Sequence, residues 1–408
     1  MTANSAYVIV GASLAGAKAA ETLRAEGFDG PVVLIGAESE RPYERPPLSK
    51  EYLLGKAERD SIYVHPPEWY EQNNVELRLN TTVTGIDRAA HQLTLADGGT
   101  QSYAKLLLTT GSSPRRIQVP GAGLEGVYYL RTATDSDRIK AAFQSAKRVV
   151  VIGAGWIGLE TAAAARTAGA DVTVAEMAEL PLLRVLGPEV AQVFADLHRD
   201  HGVDLKLGVG VDDITGTGRV NGVRLVDGTH IPAEAVVVGV GVMPNTQLAE
   251  AAGLEIEDGI EVDASLRTSD PDIYAAGDVA CAYHPLLRTS VRVEHWANAL
   301  NQPQVAAKAM LGQDVTYDRL PYFFTDPYDL GMEYSGYVAP GGYDEVVFRG
   351  DKQRREFVVF WLKQGRVLAG MNVNVWDVND AVQQLIRRGE VVDTARLADV
   401  SVPLGEQG

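Results

Sequence analysis

One pattern of residues occurs twice in this chain of 408 residues, and each occurrence predicts the same local fold. An apolar run at residues 6–10 leads into the glycine turn GASLAG at 11–16, and an apolar run at 148–152 leads into the turn GAGWIG at 153–158. A helical stretch and a second apolar run follow in both places. A strand, a tight glycine turn, a helix and a parallel strand form the unit with which doubly wound sheets begin. We therefore expect an α/β fold with two Rossmann-like dinucleotide-binding domains.

An acidic residue follows the second apolar run of each copy. Glu38 lies 22 residues after Gly16, and Glu176 lies 18 residues after Gly158. In a dinucleotide-binding turn, glycines let a pyrophosphate approach the helix N-terminus, and an acid about 20 residues further on binds ribose hydroxyls. Two such sites in one chain indicate a flavin and a nicotinamide. A carboxylate repels a 2′-phosphate, so Glu176 favours NADH over NADPH.

Composition argues against several other classes of protein. Acidic residues outnumber basic ones by 54 to 37, and a formal net charge of −17 disfavours binding to nucleic acid. The single cysteine, Cys281, excludes an internal disulfide, a CxxC redox pair and a multi-cysteine metal site, and we expect no metal. The N-terminus lacks the layout of a signal peptide, and the most apolar stretch, 149–165, contains three glycines and Glu160. We expect a cytoplasmic protein that does not bind membranes.

The character of the sequence changes near residue 321. Aromatic residues cluster there, and the alternating segments EVVFRG, REFVVFWL and RVLAGMNVN then predict strands. A closing helix is expected at 378–389. These features predict a small C-terminal α+β domain with an antiparallel sheet.

Eight motifs, in this order, resemble those of the flavin-dependent NADH:ferredoxin reductases that serve bacterial cytochromes P450 and Rieske-type oxygenases, within the glutathione-reductase-like flavoprotein class. The motifs are GASLAG (11–16), RPYERPPLSK (41–50), LLLTTGSSPR (106–115), YLRT (129–132), GAGWIGLE (153–160), GVGVMPN (239–245), YAAGDVA (274–280) and PYFFTD (321–326). The resemblance covers nearly the whole chain. It implies FAD and NADH as cofactors, an acidic ferredoxin with a [2Fe–2S] or similar cluster as partner, and a monomer or weak dimer.

The resemblance also implies domain boundaries and cofactor-binding residues. The implied domains are a first FAD-binding part at 1–112, an NAD-binding domain at 113–244, a second FAD-binding part at 245–320 and the C-terminal domain at 321–408. The residues implied for FAD are Gly11, Ser13, Ala15, Gly16, Glu38, Arg45, Lys50, Val83, Arg131, Asp278 and Trp296. Those implied for NADH are Gly153, Gly155, Ile157, Gly158, Glu176 and Gly241. Asp278 is expected at a helix start, and Trp296 near the flavin ring.

The cysteine count bears on the chemistry that follows flavin reduction. Relatives that use thiols carry a cysteine pair or an early cysteine, whereas RPYERPPLSK has none and Cys281 lies in a different motif. We therefore expect hydride transfer from NADH to FAD, followed by single-electron transfers to the ferredoxin. Lys50 and Glu160 are the candidate catalytic residues, because opposite charges at the flavin–nicotinamide junction would pair in a partly dry site. The alternative is that they are ordinary surface and helix-face charges.

Two other functions remain open. A dehydrogenase that reduces a quinone at a membrane would need an apolar-faced C-terminal helix, and AVQQLIRRGEVV is short and weakly amphipathic. A non-catalytic flavoprotein of the apoptosis-inducing type would suggest an import signal or a basic surface.

A docking surface for the ferredoxin is expected from a few residues. Phe324 is predicted to be exposed, with Arg41 and Arg45 as a basic rim. Tyr322 and Phe323 are equally consistent with a place on this surface and with burial in the core.

Overall fold

The computed structural model describes residues 6–406 of the chain. These residues form two compact units, and the chain passes between them several times. The first unit contains the residues up to Glu44, Arg59–Ser113 and Met243–Pro321. The second unit contains Arg45–Glu58, Pro114–Val242 and the residues from Tyr322 onward.

The strands and helices are numbered in chain order. The strands are β1 (Tyr7–Val10), β2 (Val32–Ile35), β3 (Val75–Arg78), β4 (Val83–Asp87), β5 (Gln92–Leu95), β6 (Thr100–Ser102), β7 (Lys105–Leu108), β8 (Ser112–Pro114), β9 (Val127–Tyr129), β10 (Arg148–Ile152), β11 (Asp171–Glu176), β12 (Asp204–Leu207), β13 (Val211–Thr217), β14 (Arg219–Leu225), β15 (His230–Pro232), β16 (Ala235–Val238), β17 (Val242–Pro244), β18 (Ile260–Val262), β19 (Ile273–Ala275), β20 (Ala280–His284), β21 (Thr289–Val291), β22 (Tyr322–Thr325), β23 (Met332–Gly336), β24 (Glu345–Asp351), β25 (Glu356–Lys363) and β26 (Arg366–Val373). The α-helices are α1 (Leu14–Ala25), α2 (Pro67–Gln72), α3 (Ala133–Ser145), α4 (Trp156–Thr167), α5 (Leu183–Asp200), α6 (Gln247–Ala251), α7 (Trp296–Met310), α8 (Asn379–Arg388) and α9 (Thr394–Ala398).

The first unit is organised around a parallel sheet with the strand order β19–β7–β1–β2–β3. Its central strands are almost entirely apolar and buried, as in sheets that helices cover on both faces. Helix α1 buries mainly alanine and glycine on the side that packs against α7, so the two helices approach closely. Two small sheets, β4–β5–β6 and β18–β20–β21, complete this unit.

The second unit repeats the parallel arrangement with the order β12–β11–β10–β16–β9. The antiparallel sheet β13–β14–β15 is inserted before β16. The C-terminal part forms an antiparallel sheet of five strands in the order β22–β23–β26–β25–β24, so β22 is an edge strand. The predicted fold class, two Rossmann-like α/β sheets with a small α+β domain, is confirmed.

Helix α8 confirms the predicted closing helix and is more sharply amphipathic than expected. It buries Val382, Leu385 and Ile386, and it packs on β26 and β23. It ends at Gly389, which adopts the left-handed conformation at φ +61°. The sheet thus covers the apolar face that a membrane-binding helix would need. Among residues 6–406, no helix has both the length and the apolar composition required to cross a bilayer.

Candidate functional site

The first glycine turn connects β1 to α1 in direct backbone contact with its neighbours. Gly11 has φ +120°, and a Cβ there would lie 2.1 Å from the carbonyl oxygen of Thr109. A Cβ on Gly16 would lie 2.1 Å from the carbonyl oxygen of Gly11. Ser13 is the N-cap residue of α1, but its side chain does not cap the helix, and the first turn has no acidic residue. The start of α1 therefore presents backbone N–H groups without a side-chain acceptor, which suits a pyrophosphate.

Two residues predicted to contact the adenosine end, Glu38 and Val83, lie in the same unit as this turn. Glu38 follows β2, is partly buried, and accepts a hydrogen bond of 2.5 Å from the Tyr43 hydroxyl. Val83 is the first residue of β4, where it pairs with Leu95 and is partly exposed. The Tyr43 contact orients the carboxylate of Glu38, and sequence reasoning had not identified this tyrosine.

The motif YAAGDVA forms a turn between β19 and β20, so the prediction that Asp278 begins a helix is wrong. The apolar residues after Asp278 continue directly into β20, because Ala280 already pairs with Ile260 of the small sheet. Asp278 accepts a hydrogen bond of 2.8 Å from the Ser112 hydroxyl. A Cβ on Gly277 would lie 3.4 Å from the Cβ of Ala15, which places this turn beside the start of α1. The location of Asp278 fits a contact to the same dinucleotide.

Trp296 is the first residue of α7, so the helix that sequence reasoning placed at Asp278 begins 18 residues later. The indole is partly exposed, and its Nε1–H donates to Glu44 Oε2 at 3.2 Å. The ring is thereby held at the end of RPYE, the first part of the motif 41–50.

The second glycine turn has the same construction as the first. Gly153 has φ +99°, and a Cβ on Gly158 would lie 2.1 Å from the carbonyl oxygen of Gly153. Gly155 is the N-cap residue of α4, and a Cβ there would meet no atom within 4 Å. Ile157, in the first turn of α4, is 43% exposed. The turn leaves open space beside a helix N-terminus, and this arrangement fits the second pyrophosphate.

Backbone amides hold both carboxylate oxygens of Glu176 at the end of β11. Oε2 accepts from the N–H of Ala154 at 2.7 Å, and Oε1 accepts from the N–H of Ala178 at 2.9 Å. Ala154 belongs to the glycine turn, so the negative charge is fixed beside that turn. Gly241, with φ +94°, follows β16, and its carbonyl accepts from the N–H of Arg115 at 2.9 Å. Glu176 and the glycine turn therefore form one local site in the second unit.

Lys50 and Glu160 form an ion pair in the second unit, as predicted. Lys50 follows the 3₁₀ helix Pro46–Ser49, and its Nζ lies 3.1 Å from Glu160 Oε1. Both side chains are only 10% exposed. Nζ also donates to Thr325 Oγ1 at 3.1 Å and to Asp326 Oδ1 at 2.5 Å. Glu160 accepts two further bonds, from Thr325 Oγ1 at 2.6 Å and from Ser49 Oγ at 2.5 Å.

The environment of Lys50 keeps its ammonium charged. Burial lowers the pKa of Lys50, but the nearby carboxylates of Glu160 and Asp326 outweigh this effect and raise the pKa above its ordinary value. Sequence reasoning missed Ser49, Thr325 and Asp326. Asp326 and Thr325 stand in the motif PYFFTD, which pointed only to a partner surface.

The predicted arginines have partners within their own units. In the second unit, Arg45 Nη1 donates to the carbonyl oxygen of Arg131, whose N–H donates to Asp135 at 3.2 Å. In the first unit, Arg41 donates to the carbonyl oxygen of His65 at 3.2 Å and stacks on the Tyr63 ring at 3.4 Å. All three predicted arginines are partly buried.

Alternate side chains of β22 point in opposite directions. Phe323 packs edge-on against Trp156 at 4.9 Å and stacks on Tyr334 at 5.0 Å. Phe324 points the other way and is 37% exposed, in agreement with the sequence-based expectation. Tyr322 is partly buried, and its hydroxyl donates to Glu333 at 2.8 Å.

The predicted FAD residues are divided between the two units. Those in the first unit are Gly11, Ser13, Ala15, Gly16, Glu38, Val83, Asp278 and Trp296. Those in the second unit are Arg45, Lys50 and Arg131. All of the predicted NADH residues lie in the second unit, together with Lys50 and Glu160.

Comparisons with known proteins assign nearly the whole chain to known families. Residues 5–303 match the family model described as pyridine nucleotide-disulphide oxidoreductase, and residues 322–407 match the model described as reductase C-terminal. The chain is 42% identical to the ferredoxin–NAD(+) reductase component of the anthranilate 1,2-dioxygenase system of Burkholderia cepacia, over 98% of both sequences. It is 39% identical to putidaredoxin reductase of Pseudomonas putida, over 100% of this chain and 97% of that protein.

Solved structures give the same result. The crystal structure of the covalent complex of putidaredoxin reductase with putidaredoxin matches with a TM-score of 0.94 and 38% identity, over 99% of this chain and 98% of that chain. The ferredoxin reductase for the CYP199A2 system of Rhodopseudomonas palustris also matches with a TM-score of 0.94 and 38% identity, over 98% of this chain and 99% of that chain.

Proposed function

Because the chain belongs to the pyridine nucleotide-disulphide oxidoreductase family, we propose that it is an FAD-dependent ferredoxin–NAD(+) reductase. It oxidises NADH and passes the electrons one at a time to an iron–sulfur ferredoxin, which supplies a cytochrome P450 or a Rieske-type oxygenase. The observation that carries this proposal is the combination of two dinucleotide-binding glycine turns with a single cysteine, Cys281, which is 3% exposed and cannot form a redox pair. FAD bound at the first glycine turn would supply both the acceptance of a hydride and the release of single electrons, so the reaction would need no redox-active thiol.

We assign the FAD site to the first glycine turn and the residues around it. The N–H groups at the start of α1 bind the pyrophosphate, and Gly11 and Gly16 let the backbone of the turn pack closely enough to form it. Glu38, oriented by Tyr43, binds the adenosine ribose, and Val83 contacts the adenine end through its backbone. Asp278 contacts the ribityl chain, and Trp296 lies near the flavin ring. Arg45, Lys50 and Arg131 belong to the second unit, and their contact with FAD stays a prediction.

We assign the NADH site to the second glycine turn. The start of α4 after Gly155 binds the pyrophosphate, with Gly153, Ile157, Gly158 and Gly241 lining the site. Glu176 accepts hydrogen bonds from the adenosine ribose. Because its carboxylate is fixed by two backbone amides, it cannot easily turn away from a 2′-phosphate, and NADPH is disfavoured.

Lys50 and Glu160 act at the junction of flavin and nicotinamide. The ion pair is nearly buried, so its field is weakly screened by water. In this role the pair orients the reacting rings and stabilises the charge that moves during hydride transfer. Neither residue acts as a nucleophile. We also propose a cytoplasmic location, since NADH is the reductant.

The function is tested with the purified holoenzyme. NADH is expected to bleach the visible flavin absorbance under anaerobic conditions and to reduce ferricyanide directly. Cytochrome c is expected to be reduced rapidly only after a purified [2Fe–2S] ferredoxin, with putidaredoxin as the first probe, has been added.

Three results would contradict the assignment. Equal reduction of cytochrome c with and without ferredoxin would show that the ferredoxin is not the electron carrier. Faster reduction of a short-chain quinone than of any ferredoxin would indicate a quinone reductase. A protein that holds FAD but does not react with NADH would be a non-catalytic flavoprotein.

A further inference from the structure

The ammonium group of Lys50 has three N–H donors, and three oxygen atoms surround it. One is Oε1 of Glu160 at 3.1 Å. The other two are Oγ1 of Thr325 at 3.1 Å and Oδ1 of Asp326 at 2.5 Å, both at the end of the edge strand β22. Most of the coordination of this ammonium therefore comes from the C-terminal domain.

Thr325 connects the two members of the ion pair. Its hydroxyl accepts from Lys50 Nζ and donates to Glu160 Oε1 at 2.6 Å. The residue is 2% exposed and is held in register with Met332 of β23. Because the strand fixes its backbone, Thr325 presents its hydroxyl to both charges from a rigid position.

Asp326 adds a second carboxylate to the single ammonium. Its side chain is 50% exposed, whereas those of Lys50 and Glu160 are 10% exposed. A solvated surface carboxylate gains little from an ion pair, but the ammonium on the other side of this contact is largely withdrawn from water. The contact therefore restrains the buried lysine more than it restrains the aspartate.

From these contacts we propose that Asp326, together with Thr325, is a positioning residue that fixes Lys50 for the reduction of FAD by NADH. This inference rests on the proposed function, because it assigns to the C-terminal domain a part in the hydride-transfer step. Lys50 touches the reacting groups in that proposal, and Asp326 acts only through Lys50.

The chain offers a matched control for Asp326. Asp329 lies three residues further along the same loop, is 71% exposed, and lies 3.4 Å from Nε2 of His201. Asp326→Asn and Asp329→Asn remove the same charge from the same segment, but only the first removes a partner of Lys50.

The first measurement is the reactivity of Lys50 in the holoenzyme, read by mass spectrometry after brief labelling with acetic anhydride. Loss of the Asp326 carboxylate lowers the pKa of the Lys50 amine. A pKa that is lower by one raises the unprotonated fraction of the amine about tenfold. Asp326→Asn is expected to label about tenfold faster, with Asp329→Asn unchanged and Asp326→Glu returning most of the protection. Thr325→Val, which removes another acceptor, is expected to label faster as well. Wild-type labelling rates in both Asp326→Asn and Thr325→Val would overturn the proposal.

The second measurement is flavin reduction in the stopped flow. Asp326→Asn is expected to lower the limiting rate constant several-fold and leave the apparent Kd for NADH unchanged. The effect is expected to vanish in a Lys50→Met background, because Asp326 acts through Lys50. An equal loss in both backgrounds would overturn the positioning role. If the wild-type flavin is not reduced by NADH, the proposed function itself fails, whereas a reducible wild type with an unaffected Asp326→Asn variant defeats only this inference.

Discussion

At the scale of single residues, the proposed preference for NADH depends on the negative charge held beside the second glycine turn. Glu176 has no freedom to swing aside, because one oxygen is held by the turn at Ala154 and the other by Ala178. A fixed negative charge beside a phosphate-binding helix start distinguishes a ribose hydroxyl from a ribose phosphate. The same principle applies to Lys50, whose charge is maintained by two carboxylates despite burial.

We expect Glu176→Arg to narrow or invert the preference for NADH. The substitution removes repulsion of the 2′-phosphate, which at about 4 Å is worth roughly 1 kcal/mol or more, and the kcat/KM ratio of NADH to NADPH should fall about tenfold. Glu179→Arg, at an exposed position three residues later, is the matched control and should keep the wild-type ratio. Equal kcat/KM values for the two nucleotides in the wild type would contradict the role of Glu176.

We expect Lys50→Ala and Glu160→Ala each to slow flavin reduction by NADH while FAD stays bound. Removing Lys50 leaves the buried Glu160 carboxylate without a counter-charge, and removing Glu160 leaves Lys50 with Asp326 alone. The double variant should therefore be less impaired than the sum of the singles. Lys56→Ala, at an exposed position on the same segment, is the control. Unchanged stopped-flow rates in both single variants would show that the ion pair has no part in flavin reduction.

At the scale of one element, β22 serves two surfaces through the two-residue period of a strand. Phe323 and Thr325 face inward, toward Trp156 and Glu160 respectively. Phe324 faces outward from the edge of the sheet. One strand thus contacts helix α4 on one side and presents an aromatic ring on the other.

We expect Phe324→Ala to raise the KM for ferredoxin about tenfold, the cost of truncating one aromatic anchor in a small interface. The Phe324 ring lies 5.7 Å from Lys50 Nζ, but Lys50 keeps its contacts with Glu160, Thr325 and Asp326 when the ring is removed, so reduction of ferricyanide should be spared. Tyr322→Phe keeps the ring on the same strand and is the control. An equal loss of ferricyanide activity would show that the flavin site or the fold had been damaged instead.

The basic rim remains a prediction. Arg41 and Arg45 are partly buried and bonded to the carbonyl oxygens of His65 and Arg131. Reversing their charge therefore also removes these contacts, and Phe324 gives the cleaner test of docking.

At the scale of the whole molecule, a net charge of −17 opposes an acidic partner at long range. A reductase with this charge docks through local complementarity, and the sequence and structure offer an exposed aromatic for it. Whether this docking patch is mainly apolar or mainly basic can be determined from how the KM for ferredoxin depends on salt concentration.

We expect the KM for an acidic ferredoxin to fall as ionic strength rises from about 0.01 M to 0.1 M, because the screening length shrinks from about 30 Å to about 10 Å. Steady-state assays with saturating NADH measure this, and ferricyanide reduction at each salt concentration controls for effects on the flavin site. A KM that rises steadily over the same range would show that basic residues dominate docking.

The two glycine turns could be identified from sequence alone, because each is a local structure. A strand, a turn that requires positive φ and backbone contact, and a helix within about 30 residues leave a readable pattern. The pattern was sufficient to locate Gly153, Gly158 and Glu176, and in the structure both Gly158 and Glu176 contact this same turn, at Gly153 and Ala154 respectively. Asp278 shows the limit of local reasoning, since aspartate is favoured both at helix starts and in turns.

Only the tertiary structure could decide what surrounds Lys50. The pairing with Glu160 was expected from charge, but Thr325 lies 275 positions away in the chain and reaches Lys50 only after β22 has joined its sheet. The same packing separated Phe323 from Phe324, two identical residues whose opposite orientations follow from which face of β22 is covered. Backbone geometry within a βαβ unit is encoded locally and was therefore determined by the sequence. Contacts between distant segments depend on the packing of whole elements, and no local pattern records them.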